Sequence, residues 1–226
     1  MAFLVNRYTE RAYDVGSVIL IKSDGQGNAG VEGLMTAIGY YNPRLNFENE
    51  LVVLKSRSLT NRTIRHLDFE VSYFSEGRLK SSEVYPMNEF KVVFDRSHPQ
   101  ITGVEFAVET IDANTFELST PETSGKTYYY DSIQKADRDF APDKSSEQKY
   151  QFNQWIETDY YRFKIVAGEQ MADARNYGNR YRFRFNAYEN LVDRYTKGLE
   201  VEPTAEGSSA VDLKLVSTTR RRHVPF

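Results

Sequence analysis

The chain has 226 residues, enough for one large or two small domains with a substantial core, and its formal net charge of −3 argues against a general nucleic-acid binder. It contains no cysteine, which excludes disulfide frameworks and thiolate-bound metals but leaves the compartment open. Sixteen Tyr and fourteen Phe, set in many short alternating runs, favour a β-rich fold.

The first element is Tyr13–Ile21, an apolar strand whose Val18-Ile19-Leu20-Ile21 run predicts burial on both faces. A Gly/Asn-rich loop follows at 24–30, then a short helical stretch over 31–40. Pro43 separates it from a long helix expected over Phe47–His66. Asn46 is its expected N-cap, and Glu48 and Glu50 in the first turn meet the positive end of the helix dipole. Phe47, Leu51, Leu54 and Ser58 fall on one face at helical spacing, while Arg57, Arg62 and Arg65 recur on one side. The period then switches: Phe69, Val71 and Tyr73 alternate with Glu70, Ser72 and Ser75, as in a half-buried strand. Ser75-Glu76-Gly77-Arg78 is turn chemistry, predicting a hairpin into Leu79–Tyr85.

From Phe90 to Phe185 only strand signals recur: Val104, Phe106 and Val108; Tyr161, Phe163 and Ile165; Tyr181, Phe183 and Phe185, each alternating with polar residues. Helical pattern returns at Ala187–Lys197 with Gly198 as the expected residue just past its end, before two strands at 199–201 and 211–215. The expected fold is therefore α+β. A split α/β layer is built from both chain ends (1–86 and 186–226), and a jelly-roll-like β-sandwich is inserted over 87–185.

Few residue constellations suggest chemistry. Gly25-Gln26-Gly27-Asn28-Ala29-Gly30 spells a dinucleotide fingerprint, but Lys22-Ser23-Asp24 part it from the strand and no second parallel strand with an acid follows, so it reads as a loop. His66, His98 and His223 are too scattered for a metal site or a triad. The carboxylate pairs Glu48/Glu50, Glu105/Glu109 and Glu200/Glu202 lie on helix ends or alternating strands and read as solvated faces. No catalytic residue, cofactor or metal ligand is expected, and the chain reads as non-enzymatic. Trp155 with Tyr160 offers rings for stacking on sugars, although a lone Trp in a sandwich is more often core. Arg180, Arg182 and Arg184 form a basic stripe suited to an acidic glycan or a neighbouring subunit, and otherwise merely solvated.

The run "NFENELVVLKSRSLTNRTIRHLDFEVSYF" resembles the periplasmic region of the chain length determinant family, the polysaccharide co-polymerases that regulate surface-polysaccharide length. The likeness is to the larger members of Bacteroides-like bacteria, in which a cytoplasmic tyrosine autokinase often follows. "YDVGSVILI" at Tyr13–Ile21 matches that family's first strand, and "LEVEPTAEGSSAVDLKLVSTT" at Leu199–Thr219 matches the segment before its second long helix. The resemblance covers the first third and last eighth well and the middle loosely.

The resemblance implies the periplasmic part of an inner-membrane protein that sets the length, or assists the export, of capsular or exopolysaccharide. No stretch approaches the ~20 apolar residues a spanning helix needs, so an excised fragment lacking its membrane segments is expected. The implied mechanism is homo-oligomeric scaffolding beside a polymerase or export machine, with ring contacts through Glu48, Glu50, Arg57, Arg62 and Arg65. Trp155, Tyr160 and the arginine stripe are the candidate glycan contacts, and any kinase activity would lie outside this chain. The alternative is a stand-alone carbohydrate-binding or adhesion-type β-sandwich.

Overall fold

A computed structural model describes residues 13–21, 43–76, 81–85, 89–120, 123–141, 146–172, 177–217 and 220–221. The glycine-rich loop at 24–30, the helical stretch at 31–40 and the Gly77 turn lie outside them. The chain is mixed α+β and mostly strand, and it divides into two compact units. One comprises 12–67 and 191–217; the other centres on 68–190.

In the first unit, β1 (Tyr13–Leu20) pairs antiparallel with β15 (Ala210–Ser217) along its whole length, and β14 (Leu199–Pro203) takes the other side of β15. Strands from the two ends of the chain thus share one sheet, as expected. The expected burial of β1 is overturned. Val15, Val18 and Leu20 are 59%, 63% and 64% exposed, because β1 is an edge strand and burial goes to Val211 on the central strand and Val201 on β14.

The long helix is also corrected. α1 (Pro43–Leu54) begins earlier than expected, with proline at its first position, where a missing N–H costs nothing. Asn46 therefore lies inside the helix and does not cap it. The helix breaks at Ser56, whose backbone is extended (φ −70°, ψ 140°) and whose hydroxyl accepts from Leu59 N at 3.2 Å. That bond caps a separate helix, α2 (Arg57–Ile64), offering the chain an alternative to continuing α1. The restart resets the buried face: Thr60 and Ile64 are buried, and Ser58 is exposed. α3 (Tyr188–Gly198) runs directly into β14. Gly198 is its last helical residue and does not take the left-handed backbone expected of a terminating glycine.

The second unit holds two sheets. The large one has the order β10 (Glu147–Gln151), β7 (Thr115–Ser119), β6 (Glu105–Thr110), β13 (Arg180–Phe185), β2 (Val71–Glu76), β3 (Ser81–Tyr85) and β16 (Arg220–Arg221). β5 (Gln100–Thr102), β8 (Gly125–Tyr129) and β9 (Gln134–Phe140) branch from it beside β13. The small sheet is β11 (Trp155–Thr158), β12 (Tyr161–Ala167) and β4 (Phe90–Phe94). β2 and β3, which the sequence reading groups with the chain ends, hydrogen-bond into the large sheet because Val71–Ser75 aligns with Tyr181–Phe185.

The alternating strands put their rings between these sheets. Phe163 of β12 meets Phe106, Phe183 and Phe185 of the large sheet at centroid distances of 5.3, 5.3 and 5.8 Å, and all four are fully buried. Such edge-on and tilted contacts add to the area these rings bury. The Tyr73 hydroxyl accepts from Val92 N at 2.9 Å, tying β2 to β4 across the core.

Candidate functional site

Alternation fixes where the predicted glycan residues stand. Phe163 points inward, so Arg162 and Lys164 face outward on the small sheet, and Trp155 opposes Lys164 in register. Trp155 is not core: it is 42% exposed, with the Arg162 guanidinium 5.3 Å and the Lys164 ammonium 5.2 Å from its ring. Both lie within cation–π range. Arg162 is anchored in turn by Asp95 at 2.9 Å. Hydrogen bonds from the Ser97 hydroxyl and backbone hold the Asp95 carboxyl below its ordinary value.

Phe183 and Phe185 also point inward, so Arg180, Arg182 and Arg184 face outward on the other sheet, on the far side of the core from Trp155. They are not a bare cationic stripe. Arg180 pairs with Glu109 at 2.6 Å and Arg182 with Glu105 at 2.8 Å, while Arg184 lies 3.9 Å from Glu105 and over the Phe74 ring. The facing β6 strand thus sets two carboxylates against three guanidinium groups and offsets most of the stripe's charge, and Glu105 and Glu109 are ion-paired, not merely solvated. Tyr160 stands apart from both places, in the turn between β11 and β12. The structure therefore distributes the five candidate glycan residues over three locations.

The candidate oligomer contacts lie on α1 and α2, with Arg65 at the C-terminal cap of α2. Arg57 donates through Nε and Nη2 to Asp193 Oδ1 at 3.1 and 2.8 Å, so it is held within its own unit. Arg65 donates to Asn61 Oδ1 at 3.2 Å. Glu48, Glu50 and Arg62 are exposed.

The sequence reading missed a buried polar cluster. Glu70, 5% exposed, accepts from Arg96 Nη2 at 2.5 Å and from the Tyr188 hydroxyl at 2.6 Å. Arg96 Nη2 also donates to the Tyr188 oxygen at 2.7 Å. Beside them the Tyr130 hydroxyl donates to Asn186 O at 2.6 Å, and Asn186 Nδ2 donates to Phe69 O and Ser72 Oγ at 3.0 and 2.9 Å. Burial, reinforced by the Glu70 hydrogen bond and charge, pushes the Tyr188 hydroxyl up to about 12. Burial also raises Tyr130 well above its ordinary value. These partners lie tens of residues apart, and only the turn from alternation into Asn186-Ala187-Tyr188 hints at them in the sequence.

No protein-family model matches the chain, and no curated protein matches it significantly. Among the described residues, no helix is long and apolar enough to cross a membrane.

Proposed function

We propose that this chain is the periplasmic scaffolding domain of a membrane protein of the chain length determinant type, governing the length or export of a capsular or exopolysaccharide. In this reading both chain ends build one α/β layer and a jelly-roll-like sandwich is its insertion. Copies assemble through the α1–α2 face beside the polymerase or export machinery. The domain does no covalent chemistry; it holds subunits in register.

The observation that carries this reading is the antiparallel pairing of β1 with β15, in which Tyr13 stands opposite Ser217. The first and the last long strand of the described residues thus lie side by side, an arrangement that suits a domain suspended between two membrane segments. The resemblance of Tyr13–Ile21 to that family's first strand and of Leu199–Thr219 to the segment before its second long helix falls on β1 and on β14 with β15.

Deletion of the gene in its host, with surface polysaccharide resolved by gel, tests the proposal. A shifted or lost length distribution, restored by the intact gene, is expected; an unchanged distribution refutes it. A second reading, a carbohydrate-binding sandwich acting alone, is favoured by the exposure of Trp155 between two cations. Saturable glycan binding with an unchanged length distribution in the deletion strain would select it.

A further inference from the structure

The β8–β9 hairpin and the β11–β12 turn enclose a cleft of about 430 Å³, within the size range of small-ligand sites. Tyr128 is fully buried, so its neighbour Tyr129 points the other way, into the cleft, directly opposite Gln134 in the hairpin register. Tyr160 forms a further part of the wall. Its turn is fixed by Thr158 Oγ1, which accepts from Tyr160 N and Tyr161 N at 3.2 Å each, and its ring packs edge-on against Phe140 at 5.4 Å.

Gln134 and Asp159 line the same space, and Lys135, in register with Tyr128 on the other face of β9, borders it. All three are exposed, and none has a hydrogen-bond or ion-pair partner for its side chain among the described residues. Ile133, immediately before Gln134, has φ of 54°, rare for a β-branched residue; it closes the β8–β9 turn and so sets where Gln134 begins its strand.

We propose that this cleft is a saccharide subsite that takes one or two neutral hexopyranose units of a glycan chain. Half-buried tyrosine rings offer apolar faces to sugar C–H groups. The Gln134 amide and the Asp159 carboxylate beside them provide the donors and acceptors that fix hydroxyl groups. The Asp159 carboxylate in its wall gives the cleft no attraction for an anionic sugar. The site is separate from Trp155 and from the arginine ladder, and it stands or falls independently of the scaffolding role.

The test is calorimetric titration of the whole chain, with ligand-observed saturation-transfer NMR, using maltohexaose, cellohexaose and hexagalacturonate as probes. At least one neutral probe should bind saturably. Gln134→Ala and Asp159→Ala, both at exposed positions, should each weaken it at least about tenfold, the scale of a lost directional hydrogen bond. Lys149→Ala on β10 should leave it unchanged. Tyr160→Ala should abolish it, with circular dichroism confirming the fold. Three results would overturn the assignment: no saturable binding of either neutral probe to the folded chain, undiminished binding in both exposed variants, or tighter binding of hexagalacturonate.

Discussion

Replacing Arg96 by alanine isolates the energetics of the buried polar cluster. The Glu70 side chain is 7% exposed and that of Arg96 is 51% exposed, so the variant leaves a buried carboxylate held by the Tyr188 hydroxyl. Breaking a fully buried ion pair costs about 3–5 kcal/mol. Because Arg96 is half in solvent, water replaces part of its role, and we expect about 2–3 kcal/mol. For a chain of this length that corresponds to roughly 4–12 °C in Tm. Trp155, the only tryptophan, lies in the same unit, so urea unfolding followed by its fluorescence reads this unit. Adding Glu70→Gln to Arg96→Ala removes the orphaned charge while keeping an acceptor for Tyr188. The double variant should recover at least about 1 kcal/mol of the loss. An Arg96→Ala cost within about 0.5 kcal/mol of zero, the range of ordinary surface changes, refutes the reasoning. So does a double variant no more stable than the single one.

Two glycines should respond in opposite directions. A Cβ on Gly125 would sit 2.6 Å from Cγ2 of fully buried Ile101, so Gly125→Ala should cost about 1–3 kcal/mol by overpacking. A Cβ on helical Gly198 would meet Leu215 Cδ1 at an ordinary 3.5 Å, so Gly198→Ala should stabilise by about 0.5–1 kcal/mol in urea titration. Trp155→Ala should leave the fold intact at a cost under about 1.5 kcal/mol, against about 3–5 for a core aromatic, as read by thermal melting. Burial pushes the Tyr161 and Tyr188 hydroxyls up to about 12. The folded chain therefore keeps phenolic protons that the unfolded chain releases near its ordinary value of about 10. This stability is full below that pH and should be lost as pH rises from there through about 12; pH-independent denaturation midpoints across that window would contradict it.

The strands of the second unit were legible where one face is buried and the other wet. In Tyr161–Ile165 and Tyr181–Phe185 the rings alternate with charges, and those rings are the core. β9 and β10 were not legible, because QKADRDF and EQKYQ are nearly polar throughout and are held by pairing to β8 and β7. The helix break was equally hidden: Ser56 is unremarkable in sequence and becomes a cap only when Leu59 N reaches its hydroxyl. For the arginine stripe, spacing was informative but incomplete. Glu105 and Glu109 lie on one face of their own strand, yet only the β6–β13 register sets them opposite Arg184 and Arg180. The Glu70 cluster depends on Arg96 and Tyr188, 26 and 118 residues away, and no local pattern encodes such a meeting.

The Arg57–Asp193 pair separates the assembly role of α2 from its stability. Both side chains are about half exposed, at 56% and 52%, so their bond should contribute only about 0.2–1 kcal/mol. Arg57→Glu places two carboxylates together and should lower the stability of its unit by about that amount or slightly more; Asp193→Arg in the same chain should restore it. Arg62 is exposed and makes no ion pair among the described residues, so Arg62→Glu should leave stability within about 0.5 kcal/mol of the parent. If α2 faces a neighbouring subunit, Arg62→Glu nonetheless alters polysaccharide length in the host, whereas the Arg57→Glu/Asp193→Arg swap preserves it. The chain has no cysteine, so Arg62→Cys gives a single cross-linking position without background. Cross-linked dimers that form in cells at Arg62→Cys but not at Lys149→Cys on β10 would place α2 at the contact. A normal length distribution in Arg62→Glu, with no dimer from Arg62→Cys, removes this helix from any interface.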